Sequence, residues 1–474
     1  EKPTKYFLNL ENKKQSQNCI TSLENGKIHD QVEILKECRS FYQTLYSSKN
    51  VPDDKIENYL TSVNIQKTLS DEEKERCDKP ITLQDCEEAV LGMKLGKTPG
   101  CDGLPPEFYK LFWPSIGSLV HSVICWALNE GKLPQSFRKA MLRLIFKNGD
   151  PETLTNWRPI SLLNTDYKIL AFILANRIKP HLENLINKDQ CAYIKGRFIG
   201  QNVRLIQDII DFCDTKNLQG MVLFLDFEKA FDCVEHNFMF KVLEKFNFGP
   251  NFIQWVKIIY TDCLASVINN GWKTASFQIQ RGIRQGCPLS ALLFLFVAEI
   301  LFYSMQTNSN IKGIKVNEEE IKLCQVADDT TVFLSTEESL HEALRCLRSF
   351  SSVAGPILNK AKTKGLWIGT WKTKKKDIGG ITWPLTPIKS LGVYFGHCSK
   401  SLIKLNWEDK VKQIKTILNT WRQRNLTLFG KITIVKSLAA AKVTYIMNVM
   451  PAPLSILKEL NTAFFNFVWS GKGD

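Results

Sequence analysis

The 474-residue sequence has no C-x-x-C pair among its 14 cysteines, and its six histidines are scattered from His29 to His397. A structural zinc site, which draws four Cys or His ligands together at short spacings, has no cluster to use here. Small secreted disulfide scaffolds are short and cysteine-dense, so these cysteines read instead as reduced thiols in packed elements, and an intracellular location is expected. Long apolar runs are also missing. The longest, Ala291 to Ala298, stops at Glu299, well short of the ~20 residues a membrane-spanning helix needs, so no membrane partner is expected. The amino end, Glu1-Lys2-Pro3-Thr4-Lys5, lacks both an initiating Met and the basic-then-apolar pattern of a secretory leader. No internal repeat is found.

Acidic residues are the next shortage. Against 48 Asp and Glu stand 62 Lys and Arg, a formal charge of +14, and such an excess points to a polyanionic partner such as nucleic acid. Hydrophobic residues at 44% and aromatics at 11% supply ample core. Chains beyond about 250 to 300 residues split into domains, so two to four packed units are expected.

Residues 1–80 mix helical patterns with polar turns such as Glu24-Asn25-Gly26-Lys27 and read as an amino-terminal extension. The stretch Gly96 to Pro106 carries three prolines and three glycines, cannot continue a helix, and marks a loop. Two basic segments lie toward the carboxyl end. Lys360 to Lys376 holds seven lysines with Trp367 and Trp371, while Lys400 to Met450 holds ten Lys or Arg against two acids, +8 of the +14. Within the second, Trp407, Val411, Ile414, Leu418 and Trp421 recur at helical spacing and leave Lys410, Lys412, Lys415, Arg422 and Arg424 on other faces. That pattern suits a solvated basic helix as well as one that grips phosphates.

Two short places carry the chemistry. In Gly220-Met221-Val222-Leu223-Phe224-Leu225-Asp226, an apolar run of strand length ends on a carboxylate. A buried strand would deliver Asp226 where it must meet water, a cation or a donor; it could equally cap a following helix. In Ile321 to Leu334, two β-prone runs flank Val326-Ala327-Asp328-Asp329, which reads as a hairpin. Aspartates are common in turns for their own reasons. Between apolar strands, however, two adjacent like charges repel unless a cation neutralises them. Three such carboxylates suit a pair of hard divalent ions, two Mg²⁺ with Mn²⁺ as a substitute, which can activate a hydroxyl and stabilise a leaving pyrophosphate.

Taken in order, the motifs resemble the reverse transcriptase of non-LTR retrotransposons of the long interspersed element type. They are Lys97-Thr98-Pro99-Gly100-Cys101-Asp102-Gly103, Asn156-Trp157-Arg158-Pro159, Ala192-Tyr193-Ile194-Lys195-Gly196-Arg197, Leu225-Asp226-Phe227-Glu228-Lys229-Ala230-Phe231-Asp232, Arg284-Gln285-Gly286-Cys287-Pro288, Ala327-Asp328-Asp329, Leu358 to Lys364 and Ser390 to Gly396. The resemblance covers nearly the whole chain. It implies an α+β right-hand polymerase: an amino-terminal extension (1–80), fingers (81–215), a palm with an antiparallel sheet (216–396) and a helical, partial thumb (397–474).

It implies roles as well. Asp226, Asp328 and Asp329 become the catalytic metal ligands, joined by the backbone of Phe227. Phe231 corresponds to the bulky residue beneath the incoming sugar, which excludes a ribose 2′-hydroxyl; ordinary core packing is its other reading. Gln285 and Gly286 shape the nucleotide pocket, Arg158, Lys195 and Arg197 hold template or triphosphate, and Lys362 matches a lysine that protonates pyrophosphate. Leu391, Gly392 and Tyr394 fall in the primer grip, and Lys410, Lys412, Lys415 and Arg422 in the thumb that holds the duplex backbone. The implied partners are an RNA template, a DNA primer and dNTPs, in nucleus and cytoplasm. The endonuclease and cysteine/histidine segments of such polyproteins are expected to lie outside these 474 residues. Val326 departs from the aromatic that the family places before Ala-Asp-Asp. Two other classes compete: a viral-type RNA polymerase, since Asp226 and Asp232 suit its spacing, and a non-catalytic nucleic-acid scaffold.

Overall fold

The computed structural model describes residues 19–24 and 26–469; the amino-terminal pentapeptide and Asn25 of the expected turn lie outside the described residues. In chain order, the elements that frame the site are helix α1 (Gln31–Leu45), α2 (Pro106–Glu130), strands β1 (Lys139–Phe146) and β2 (Trp157–Leu163), α3 (Ile199–Lys216), β3 (Gln219–Leu225), β4 (Cys263–Asn269), β5 (Trp272–Lys273) and β6 (Phe277–Ile279). They continue with α4 (Ser290–Gln306), β7 (Leu323–Val326), β8 (Asp329–Leu334), β9 (Lys364–Gly369), β10 (Ile388–Ser390), β11 (Val393–Phe395), α5 (Asp409–Arg422), α6 (Ala441–Val449) and α7 (Leu454–Val468). The fold is of mixed helix and sheet. Two compact units share it: one comprises the chain up to Lys188, Phe227–Thr307 and Cys346–Ile357, the other Asp189–Asp226, Asn308–Arg345 and the chain from Leu358. Both cut across the divisions expected at 80, 215 and 396.

The first unit is built on a sheet in the order β2-β1-β4-β5, with β6 also paired to β4. Its β1 and β2 run antiparallel, Leu142 facing Ser161, whereas β1 and β4 run parallel, Leu142 facing Val267. Alternation in β4 turns Cys263, Ala265 and Val267 inward, and α1 covers them with Ile34, Cys38, Tyr42 and then Tyr46, each four residues on. Asp30 starts that helix by accepting the N–H groups of Val32 and Glu33 at 2.9 and 3.0 Å, which satisfies donors with no partner in the first turn. Burying side chains of this size is worth about 1.5–3 kcal/mol each. The segment expected to be an extension therefore supplies a share of this unit's core.

The apolar run noted in the sequence is α4, buried on nearly every side. Glu299 within it is completely buried and accepts the Asn187 N–H at 2.9 Å, a partner that a carboxylate needs away from water. The expectation that no segment reaches spanning length needs correction. Pro106–Glu130 (25 residues) and Leu428–Val449 (22 residues) are long and apolar enough by length and composition. Searching for unbroken apolar runs missed them because scattered polar residues, such as Lys110 in α2, interrupt the run without making the helix polar. All fourteen cysteines are free thiols.

The second unit holds a fully antiparallel sheet in the order β7-β8-β3-β9. Val222 and Phe224 of β3 share one face with Phe333, Leu366 and Ile368, and α3 packs Val203, Ile206, Ile210 and Cys213 into the same core. Period two in the strands and 3.6 in the helix thus bury the apolar positions together. The core runs on through Phe395 into the carboxy-terminal helices, with Val411, Ile414 and Leu418 of α5, Val443 and Ile446 of α6, and Leu460 of α7.

Candidate active site

Strand register brings the carboxylates to one edge of the second unit's sheet. Leu225, the last residue of β3, faces Thr330 of β8, so the next residue along, Asp226, leaves β3 beside the start of β8 at Asp329. Asp329 in turn pairs with Val326 of β7, and Ala327 and Asp328 form the two-residue turn between them. The hairpin expected from Val326-Ala327-Asp328-Asp329 is present. Asp329 is exposed, and Asp226 and Asp328 are half-buried.

One residue of this turn has an unfavourable backbone conformation. Ala327 has φ 57°, a left-handed conformation that tight hairpin turns require and that costs an L-residue about 1–2 kcal/mol. A buried polar network offsets the cost. Oε1 of Gln190 accepts the N–H of Ala327 at 2.9 Å and that of Ala192 at 3.1 Å, and Gln190 is completely buried. Its neighbours clamp the preceding strand residue: Gln325 N–H donates to Asp189 O and Cys191 N–H to Gln325 O, both at 2.9 Å. Asn202 Nδ2 reaches Gln325 O at 2.7 Å.

Asp226 is secured through its backbone. Its N–H donates to Thr363 Oγ1 at 3.2 Å, and its carbonyl accepts from the Asn359 N–H at 2.8 Å. The same Asn359 closes a turn by accepting the N–H groups of Lys362 and Thr363. Lys362, exposed, therefore sits in a turn strapped to Asp226. Partial burial and then the charge of Asp328 push the Tyr193 phenol above its ordinary range. Lys195 is exposed, whereas Arg197 is partly committed, its Nη1 donating to Gln190 O at 2.8 Å.

The donor set of Asp226, Asp328 and Asp329 fits hard divalent ions: all ligand atoms are carboxylate oxygens, set on one edge by the register. Among the described residues no three His, Cys, Asp or Glu side chains are gathered tightly enough to hold a metal.

The remaining nucleotide-site candidates belong to the first unit. Phe231 is half-buried and stacks on Phe294, with ring centroids 4.1 Å apart and planes 15° from parallel. Its carbonyl accepts the N–H of Ile283 at 2.7 Å, which ties it to the loop of Gln285 and Gly286. Gly286 has φ 112°, and a Cβ there would lie 2.6 Å from Ser161 O, so only glycine fits. Gln285 O accepts the Ser161 N–H at 2.7 Å, and its Nε2 donates to both oxygens of Asp232. Asp232 is only 2% exposed and also accepts from Tyr46. Phe227 is half-buried, and Arg158 is exposed on β2.

In the second unit, β10 and β11 form a hairpin whose turn residues Leu391 and Gly392 have φ 49° and 79°. Tyr445 Oη donates to Leu391 O at 2.7 Å, and Asn406 brackets Tyr394 by bonding its N–H and its carbonyl. Phe395 stacks on Phe224, centroids 5.6 Å apart, and so joins the hairpin to the strand that carries Asp226. The stripe read from the sequence is also present: Trp407, Val411, Ile414 and Leu418 are buried and Trp421 packs against the same core. Lys412, Lys415 and Arg422 are exposed, but Lys415 is paired with Glu459 at 2.5 Å. Lys410 is half-buried, and burial followed by the charges of Lys389 and Lys442 lowers its pKa.

Residues 145–395 match the family described as Reverse transcriptase (RNA-dependent DNA polymerase), more than half of the chain and including Asp226, Asp328 and Asp329. The chain belongs to the reverse transcriptase family. Its domain is an RNA-directed DNA polymerase of the non-LTR retrotransposon kind. It is 32% identical over its whole length to the transposon TX1 uncharacterized 149 kDa protein of Xenopus laevis, covering 36% of that protein. It is 27% identical to a Pol polyprotein from the type-1 retrotransposable element R2 of Popillia japonica, over 67% of this chain and 45% of the relative. To the RNA-directed DNA polymerase from mobile element jockey of Drosophila funebris it is 25% identical, over 64% of this chain and 33% of the relative. The chain thus spans less than half of the length of these curated relatives.

Sequence reasoning missed Gln190, Asn202, Thr363 and Tyr46 in this reverse transcriptase. The one signal for Gln190 was its place two residues before the quoted Ala192 to Arg197 motif.

Proposed function

We propose that this reverse transcriptase domain adds dNTPs to the 3′-hydroxyl of a DNA primer on an RNA template, as a step of target-primed retrotransposition. The observation that carries this reading is the register that sets Asp226 beside Asp329, with Asp328 in the adjoining turn. Asp226, Asp328 and Asp329, with the backbone of Phe227, would hold two Mg²⁺ ions, which when bound acidify the primer hydroxyl and neutralise the leaving pyrophosphate. The chain's own groups do the rest. The Gln190 network fixes the turn that presents Asp328, and Lys362, in the turn tied to Asp226, is suited to give a proton to the departing pyrophosphate. Phe231 excludes ribonucleotides, Gln285 and Gly286 form the nucleotide pocket, and Arg158, Lys195 and Arg197 steady template or triphosphate.

In this reading the fingers, palm and thumb of a right hand follow the order expected from the sequence. The β10–β11 hairpin holds the primer end, while Lys410, Lys412 and Arg422 meet the phosphates of the duplex through a sequence-independent electrostatic contact. Primer extension on an RNA template tests the assignment. Extension with dNTPs and Mg²⁺, abolished by EDTA and restored by Mn²⁺, is expected. Extension with rNTPs only, or stable binding with no extension under any divalent ion, would overturn it.

A further inference from the structure

Asp232 lies in the motif that carries Phe231, and its carboxylate is enclosed by protein. What encloses it comes from far away in the sequence. Helix α1 and the residue that caps its end place a buried residue at every fourth position, Cys38, Tyr42 and Tyr46, and Tyr46 Oη donates to Asp232 Oδ1 at 2.8 Å. Burial, and then the charge of Asp232, hold the Tyr46 phenol well above its ordinary range, so it remains a donor at any working pH. The backbone around it is tied to the same region. Tyr46 O accepts the N–H groups of Gln280 and Arg281, Leu45 O accepts Arg281 Nε at 2.8 Å, and Ser48 Oγ donates to Glu235 at 2.6 Å.

Gln285 completes the chain of contacts, its Nε2 lying 3.3 and 3.2 Å from the two oxygens of Asp232. A carboxylate only accepts, so the amide nitrogen of Gln285 must face it and the amide oxygen is left to offer elsewhere. Tyr46 occupies one of the carboxylate's acceptor positions and thereby limits how Asp232 can turn. Lys229 adds a nearby positive charge; its pKa is lowered by burial and raised in part by Asp232.

We propose that Tyr46 is a positioning residue for nucleotide binding: by fixing Asp232 it sets the orientation in which Gln285 presents its amide oxygen to the incoming dNTP. The proposal rests on the reading of Gln285 as a nucleotide contact. Tyr46→Phe removes one donor and little volume. In single-nucleotide incorporation by the full chain, it is expected to raise the KM for dNTP about five- to tenfold with kcat within about twofold, the signature of lost binding without lost chemistry. Template-primer affinity should stay close to the parent's, while Tm falls modestly with the loss of a buried hydrogen bond to a carboxylate. Asp232→Asn, which lets the Gln285 amide turn over, should raise KM in the same way, and it carries the test if Tyr46→Phe fails to fold.

Gln285→Ala separates the two readings. If it raises KM while Tyr46→Phe and Asp232→Asn do not, the positioning role is overturned and the pocket assignment stands. If Gln285→Ala leaves KM unchanged, the pocket assignment itself falls. In the double variant Tyr46→Phe/Gln285→Ala, the Tyr46 effect should vanish, since coupled residues are not additive. An undiminished Tyr46 effect there would show that it acts by another route and overturn the proposal.

Discussion

Gln190 and Ala327 are 137 residues apart, yet the Ala327 N–H donates to Oε1 of Gln190 at 2.9 Å in a site from which water is excluded. Because Ala327 is the residue whose positive φ turns the chain just before Asp328, this bond sets where the carboxylate points. Gln190→Leu keeps the bulk and removes the acceptor. It leaves the N–H groups of Ala327 and Ala192 without their partner, at about 1–3 kcal/mol for each buried group. The expected outcome is a lower denaturation midpoint and at least a tenfold fall in kcat, about 1.4 kcal/mol of barrier, with template-primer affinity unchanged. Stability measured alongside single-turnover rates checks it; a stability loss with kcat intact would mean that the turn holds its shape unaided.

Asp328→Asn changes charge but hardly changes shape. Polymerisation should drop by at least about a thousandfold, because metal ligation supplies several kcal/mol of transition-state stabilisation. Binding of template and primer should survive. Extension within tenfold of the parent would remove Asp328 from the ligand set.

What the sequence disclosed and what it hid divide along the distance between partners. Leu225-Asp226, the hairpin around Asp328 and the stripe from Trp407 to Leu418 are local patterns, because a strand or a helix face is written in consecutive residues. The Tyr46–Asp232 bond joins residues 186 apart, and no periodicity announces it. Residues 1–80 looked accessory for the same reason: the surface that α1 covers belongs to strands more than a hundred residues later. Glu299 shows the reverse case. It looked like an interruption of an apolar run, and the structure gives it the Asn187 N–H as a buried partner.

The lysines of α5 should contribute unequally to nucleic-acid affinity. Lys415 is neutralised locally by Glu459, whereas Lys410 feels the positive charges of Lys389 and Lys442, a concentration of charge that a phosphate would relieve. Lys410→Ala and Lys412→Ala should each flatten the dependence of log K on log salt by up to about one, for unrelated sequences alike, by counterion release. Lys415→Ala should change the slope less. Titrations at four salt concentrations would show this, and equal slopes for all three variants and the parent would place these lysines away from the duplex.

Phe231 is the most discriminating position, because its bulk rather than its charge is expected to act. Its ring is half-buried and stacks on Phe294 at 4.1 Å, so it has a rigid backing and cannot easily swing aside. A ribose 2′-hydroxyl forced against such a ring meets the cost of overpacking, about 1–3 kcal/mol, or roughly five- to 150-fold discrimination. Phe231→Val opens that space and also removes the stack, so stability should fall by about 1–3 kcal/mol. The folded variant is expected to use rNTPs at least about tenfold better relative to dNTPs while keeping metal-dependent DNA synthesis. Relative kcat/KM for a matched dNTP and rNTP pair measures this directly. An unchanged ratio in a folded, active variant would return Phe231 to the role of a core residue that supports Phe294, and sugar selection would then belong to another side chain.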